Sequence, residues 1–167
     1  MKIEHVTHDS IPIFIDDKST VLILGSLPSV KTREVGFYYG HPRNRFYLVL
    51  SKIFSEEVHI CIEEKKSFLS KHHIALYDVI YECNIVGSAD SSIKNPKVID
   101  IKDILTKYPN IKRIAINGGK AKSLFDKSLL PIVNTFNIEI FYLPSTSPAN
   151  AKTSIDVLVK EYSKVFY

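Results

Sequence analysis

Four short apolar runs, with helical spacing between them, set out the architecture of the chain. VLILG (21–25), IALYDVI (74–80), RIAIN (113–117) and IEIFYLP (138–144) are rich in β-branched residues and predict buried strands. Phe46, Val49, Leu50, Ile53 and Phe54 share one face of a helix expected to begin near Pro42, since a first helical turn accommodates proline. CIEEKKSFLSKH, VIDIKDILTKY, GKAKSLFDKSLL and SIDVLVKEYSKVF predict further helices, the second bounded by Pro109. No internal repeat, low-complexity tract or linker interrupts the pattern. Strand–helix alternation predicts an α/β protein: a three-layer α/β/α sandwich around a central, mainly parallel four-stranded sheet, in a single domain over residues 1–167.

Parallel sheets have a functional polarity, because ligands bind beyond the carboxyl ends of the strands. Four segments are expected to meet there: GSLPS after the first strand, Asp78 to Ser92 after the second, NGGK after the third and LPSTSPAN after the fourth. They hold much of the chain's Gly, Pro, Ser and Asn.

Composition narrows the field modestly. With 45% hydrophobic and 24% charged residues in 167, the chain reads as an ordinary globular protein with room for a real core. Its 22 Lys and Arg against 18 Asp and Glu leave a net charge of +4, which permits an anionic partner without requiring one. Lys31, Arg33, Arg43 and Arg45 favour a local basic patch, with a plain solvated face as the alternative. Cys61 and Cys83 lack CxxC spacing, so neither a disulfide framework nor a zinc site is expected. No apolar run approaches the roughly 18–20 residues that span a bilayer, and MKIEHVTHDS lacks the apolar segment of a signal peptide. A soluble, cytoplasmic protein is expected.

Several chemistries fail on their motifs. NGGKAKS departs from a phosphate loop at Ile114 and Ala121, leaving Asn117, Gly118 and Gly119 as a strand-to-helix turn with backbone N–H groups open to a phosphate. The six histidines, His5, His8, His41, His59, His72 and His73, form no HExxH, and the zinc deaminase signature is absent. Ser26, Ser29, Ser145 and Ser147 have no GxSxG elbow around them. Asp78, Glu82 and Asp90 are a thin supply of carboxylates for a metal-dependent nuclease. What stands out is GSLPSVKTREVGFYYGHPRNRF (25–46), where Phe37, Tyr38 and Tyr39 precede a turn holding Arg43, Asn44 and Arg45. Aromatic faces stack on nucleobases, and arginines at a helix start suit phosphates. A loop folded onto the core is the alternative for the aromatics.

At these residues the sequence resembles the uracil-DNA glycosylase superfamily. GSLPS stands where that superfamily has its first motif, a Gly-x-x-Pro-[Gly/Ser/Tyr] turn after the first strand. GFYYGHPRNRF resembles the GFPFAHPANRF-like segment of the mismatch-specific uracil/thymine branch. LPSTSPAN resembles the second motif, in which Pro-Ser precedes a loop inserted into the minor groove. Taken together the three most resemble the hypoxanthine-DNA (deoxyinosine) glycosylases of the superfamily, and the likeness follows the strand–helix order of nearly the whole chain.

The resemblance implies hydrolysis of the N-glycosidic bond of a deaminated base, chiefly hypoxanthine, flipped from double-stranded DNA to leave an abasic site. It implies Tyr39 as the stacking aromatic, supported by Phe37 and Tyr38. Asn44 is implicated in catalysis, and Asp78 stands where relatives carry a base-reading asparagine, able to accept the N1–H of hypoxanthine. Ser26, Pro28 and Ser29 of the first motif, with Arg43 and Arg45, would hold the DNA backbone. The turn at Asn117 and Gly118 would assist, and Ser145, Thr146, Ser147 and Pro148 would fill the gap left by the flipped base. No metal, no cofactor and no amine nucleophile are implied, and relatives of this kind generally act as monomers. Two positions depart from the pattern: Leu27, where many relatives place Asp or Asn to hold water, and Leu143, where others have His or Asn before Pro-Ser. Asn44 as a helix brace and Asp78 as a turn cap or lysine partner remain open. So do two rival functions, a mismatch-specific uracil/thymine glycosylase and a catalytically inactive reader of damaged DNA.

Overall fold

In a computed structural model, residues 2–58, 61–86 and 92–167 are described. Strand β1 (Glu4–Thr7) comes first, followed by β2 (Val21–Gly25), which is buried at every residue. β2 pairs in parallel with β3 (Ile74–Asp78) on one side and β6 (Arg113–Asn117) on the other. β7 (Glu139–Leu143) pairs with β6, giving the order β3-β2-β6-β7. Side-chain alternation divides the core into two halves. Val21 and Ile23 face the layer built by α2 (Phe46–Phe54), α3 (Ile62–Lys71) and α7 (Ile155–Phe166). Leu22 and Leu24 face α4 (Ile101–Lys107), α5 (Gly119–Ser128) and the short α6 (Leu130–Val133). The expected three-layer sandwich on a parallel four-stranded sheet is present.

Three features depart from the sequence expectations. IALYDVI is not one strand: β3 ends at Asp78, the Val79 N–H donates to the Gly25 carbonyl at 2.8 Å, and β4 (Ile80–Ile85) begins in a different sheet. That sheet is antiparallel, in the order β1-β4-β5 with β5 at Lys94–Val98, and the apolar pattern concealed it because β1 and β5 are mostly exposed. The helix expected from Pro42 starts only at Phe46. Its first free N–H, that of Phe46, is taken at 2.9 Å by the side-chain oxygen of Asn44, and Pro42 and Arg43 form a turn ahead of it. Finally, the loop after β2 contains an unexpected helix, α1 (Val30–Val35), which Ser29 caps by accepting from the Thr32 N–H. Among the described residues no helix is long and apolar enough to cross a membrane.

Candidate active site

Register brings the carboxyl ends of the parallel strands level: Gly25 lies opposite Asp78, and Asn117 opposite Leu143. Beyond them opens a recess of about 370 Å³, within the ~300–1,000 Å³ typical of small-molecule sites. All four segments expected at this end contribute, among them Ser26, Asp78, Asn117 and Ser145. The segment leading into α2 adds Tyr38, Tyr39 and Asn44.

Gly25 is required by close approach. A Cβ on it would lie 2.6 Å from Asp78 Oδ1 and 3.4 Å from the Tyr39 hydroxyl, so only glycine lets both groups crowd over the strand end. Tyr39 itself adopts a left-handed backbone with φ of 56°, a conformation costing on the order of 1–3 kcal/mol for a residue with a Cβ. Its ring lies nearly parallel to Phe46, with centroids 4.0 Å apart. Its hydroxyl is buried without a hydrogen-bond partner among the described residues. Burial first, then the Asp78 charge, push that phenol well above its ordinary range, with Asn117 partly opposing.

The three aromatics of the loop therefore divide. Tyr39 and Tyr38 line the recess, although Tyr38 is buried and its hydroxyl donates to the Pro12 carbonyl at 3.0 Å. Phe37 does not reach it; the ring packs edge-on against Phe14 in the core. Phe37 is thus a core residue rather than a stacking surface, and only the two tyrosines that follow it reach the recess.

Asn44 lines the same recess as Tyr39. Because the Phe46 N–H can only donate, it fixes the Asn44 amide with Oδ1 on the helix and Nδ2 as the group left to donate. Asp78 is buried, and its partner is not a lysine. Oδ2 lies 3.1 Å from His8 Nε2, with both side chains almost wholly enclosed. The histidine came from residues 1–19, which carry no local chemical signal. It reaches Asp78 because β1 pairs with β4 and the His8 N–H donates to the Tyr81 carbonyl.

Of the residues expected to hold DNA, some face outward and some brace the site. Ser26, Pro28, Ser29, Ser145 and Ser147 line the recess, and Pro148 borders a second groove beside it. Thr146 is fully buried: Asn117 Nδ2 donates to its hydroxyl at 3.1 Å and its N–H donates back to Asn117 Oδ1 at 3.2 Å. Both residues hold the loop's shape, and Thr146, fully enclosed, is a brace of that loop and not a side chain that fills a DNA gap. Gly118, with φ of 99°, makes the turn into α5 and donates its N–H to the Leu143 carbonyl. The Arg45 guanidinium donates to the carbonyls of Thr153 at 2.6 Å and Asn150 at 2.8 Å, so it ties the same loop to α2 instead of facing outward.

The expected basic patch is mostly neutralised as well. Arg33 pairs with Glu4 and Lys31 with Glu34, leaving Arg43 exposed, with no side-chain partner among the described residues. Lys120, at the start of α5, is a basic lining residue that motif reading passed over when the phosphate loop failed. Leu27 lines the recess but packs with Val6, Ile80 and Ile85, and Leu143 is buried in the core. His59 and Asp90 lie outside the described residues.

An α/β/α sandwich with a base-sized recess at the carboxyl ends of its strands, lined by an aromatic, an amide and a buried carboxylate, defines the architecture of a nucleobase-handling protein. The family model of the uracil DNA glycosylase superfamily matches residues 12–164, and the chain belongs to that superfamily. It is 33% identical to the hypoxanthine DNA glycosylase of Methanosarcina acetivorans, over 86% of this chain and 88% of that protein. A hypoxanthine DNA glycosylase of Methanosarcina barkeri is 31% identical, over 85% and 87%. The solution NMR structure of a candidate uracil DNA glycosylase from Methanosarcina acetivorans superposes with a TM-score of 0.80 at 30% identity, covering 93% of this chain and 94% of that one.

Proposed function

We propose that this protein is a DNA glycosylase that hydrolyses the bond between a deaminated base, chiefly hypoxanthine, and its deoxyribose, and leaves an abasic site. The observation that carries the reading is the convergence of Tyr39, Asn44 and Asp78 on one recess at the carboxyl end of the sheet. Extruding a nucleotide costs a few kcal/mol. Stacking on Tyr39, whose ring Phe46 holds from behind, offsets about 1–3 kcal/mol of it.

Bond cleavage leaves negative charge on the base and positive charge on the sugar. Preorganised donors are the principal means of stabilising such charge. Asn44 Nδ2, oriented by the helix cap, serves as that donor, toward the departing base or the oxygen of the attacking water. Asp78 accepts the N1–H of hypoxanthine. Ser26, Ser29 and Ser145 contact the phosphates beside the flipped sugar, and Lys120 in the recess and the exposed Arg43 outside its lining add attraction that does not depend on sequence.

Incubating the purified protein with duplexes carrying one inosine, uracil or xanthine, followed by alkaline cleavage of abasic sites, tests this reading. Inosine is expected to be processed fastest, with strand breaks only after alkali; breaks before alkali would report lyase chemistry by an amine of the protein. The Leu27 side chain has no polar atom with which to hold water, which favours the inactive-reader alternative. Binding without product from any of the three lesions would establish that alternative.

A further inference from the structure

Among the described residues, three buried polar side-chain atoms lack a well-directed hydrogen bond: His8 Nε2, Tyr39 Oη and Asp78 Oδ2. Tyr39 and Asp78 line the recess, His8 lies behind them against Asp78, and His8 precedes residue 12, where the match to the family begins. His8 Nδ1 lies 2.7 Å from the Ile11 carbonyl, which can only accept, so Nδ1 carries a hydrogen. A favourable contact of Nε2 with Asp78 Oδ2 at 3.1 Å then needs a further proton, which makes the pair an imidazolium and a carboxylate in its ionic form. The contact lies off the N–H axis, so it is ionic more than directional.

Three tyrosines from neighbouring segments enclose the pair. The Tyr77 ring meets His8 edge-on at 4.7 Å, the Tyr38 ring lies 6.1 Å away, and Tyr39 approaches from the recess side. Asp9, next in the chain, is engaged by the Tyr81 hydroxyl. Lys120 is the other charged residue lining the recess, and no ion pair joins it to Asp78 among the described residues.

We infer that His8 is a positioning residue for base selection: it occupies Oδ2 of Asp78 and presents Oδ1, over Gly25 and beside the Tyr39 hydroxyl, as a fixed anionic acceptor for the ring N–H of an extruded 6-oxopurine. The inference rests on the glycosylase reading and on Asp78 meeting the base. Its chemical consequence is selectivity. Hypoxanthine carries a hydrogen on N1 that a carboxylate accepts. Adenine carries a lone pair there, which an anion repels, so the undamaged parent base is rejected. Burial pushes the His8 pKa down, but the Asp78 contact and charge, with the Ile11 carbonyl, leave it above its ordinary value, in keeping with a histidine that stays protonated.

The test is the pH profile, from about 6 to 9, of single-turnover hypoxanthine release from an inosine duplex by the wild type, His8→Gln and His8→Leu, each also in the Asp78→Asn background. The folded His8 value is raised, so the protonated imidazole is present at the acid end of this window and is lost as pH rises through it. The ratio of the wild-type rate to the His8→Gln rate is therefore expected to fall by about threefold or more from about pH 6 to 9, and to stay level in the Asp78→Asn background; ionisation of the substrate cancels in each ratio. A folded His8→Gln enzyme whose rate stays in constant ratio to that of an active wild type overturns the inference and leaves the glycosylase reading intact. A wild type that releases no hypoxanthine at any pH defeats both. Should His8→Leu fail to fold, His8→Gln decides alone, because a merely structural histidine would lower the rate by the same factor at every pH.

Discussion

Asn44 does two jobs with one amide, and its two ends can be separated by substitution. Oδ1 accepts the first N–H of α2, that of Phe46, from just before the Arg45 cap position, a hydrogen bond whose net worth is typically ~1 kcal/mol. Nδ2 is the proposed donor to the reacting groups. Asn44→Asp keeps an acceptor for the cap and removes the donor, whereas Asn44→Ala removes both. We expect Asn44→Asp to melt near the wild-type temperature and yet lose about 10²–10³ in single-turnover rate, the usual effect of deleting one oriented donor. Asn44→Ala should show the same rate loss together with a lower melting temperature. An Asn44→Asp enzyme working at the wild-type rate would reduce Asn44 to a brace. Gly25 is the complementary case, a residue important for what it lacks: the Cβ it omits would stand 2.6 Å from Asp78 Oδ1.

At the scale of elements, the loop from Ser145 to Thr153 is shaped from two sides, by Asn117 through Thr146 and by Arg45 through the carbonyls of Asn150 and Thr153. This gives the two arginines of the PRNRF turn different jobs that a binding experiment can separate. Arg43→Ala should leave the melting temperature unchanged and flatten the dependence of log affinity on log salt by about one phosphate contact. Arg45→Ala should destabilise the fold by about 1.5–3 kcal/mol, as expected for hydrogen bonds from a charged donor. Its effect on affinity should come through a loosened loop, with the salt slope nearly unchanged. Salt titrations of duplex binding, alongside urea unfolding, distinguish the two.

The same elements show where the sequence could be read and where it could not. β2, β3 and β6 were legible because strands enclosed by helices on both faces become continuous apolar runs; β7, an edge strand with one buried residue, was legible from its own apolar run. KNPKV and EHVT are mostly exposed strands and show no such run, so the antiparallel sheet was hidden. Tyr39, Asn44 and Asp78 were legible through motif likeness. Arg45 was misread because what an arginine meets depends on carbonyls more than a hundred positions away. His8 gave no signal at all: its partner lies seventy residues on, and only the pairing of β1 with β4 brings them together.

For the whole molecule, the His8–Asp78 contact is also a joint, fastening the segment after β1 to the end of the central sheet. Protonation and folding are therefore linked. Unfolded, the imidazole titrates near its ordinary value of 6.5; folded, the Asp78 contact and charge overcome burial and raise it. A raised folded value means that the native state binds the proton more tightly than the unfolded chain. The resulting stabilisation is complete below the unfolded value and is lost as pH rises through the folded one. The wild type should thus exceed His8→Gln in urea midpoint most clearly at about pH 6, with the gap narrowing toward about pH 9, because a neutral glutamine has no such linkage. Asp9 and Tyr81, which interact at the exposed end of the same segment, offer an internal control. Removing that hydroxyl with Tyr81→Phe should shift the midpoint by a similar amount at every pH in this window, since the hydrogen bond to Asp9 raises the phenol above its ordinary value and keeps it neutral there. A gap between wild type and His8→Gln that stays constant with pH would mean that the histidine contributes packing alone, and that the recess floor carries its negative charge without help from the N-terminal segment.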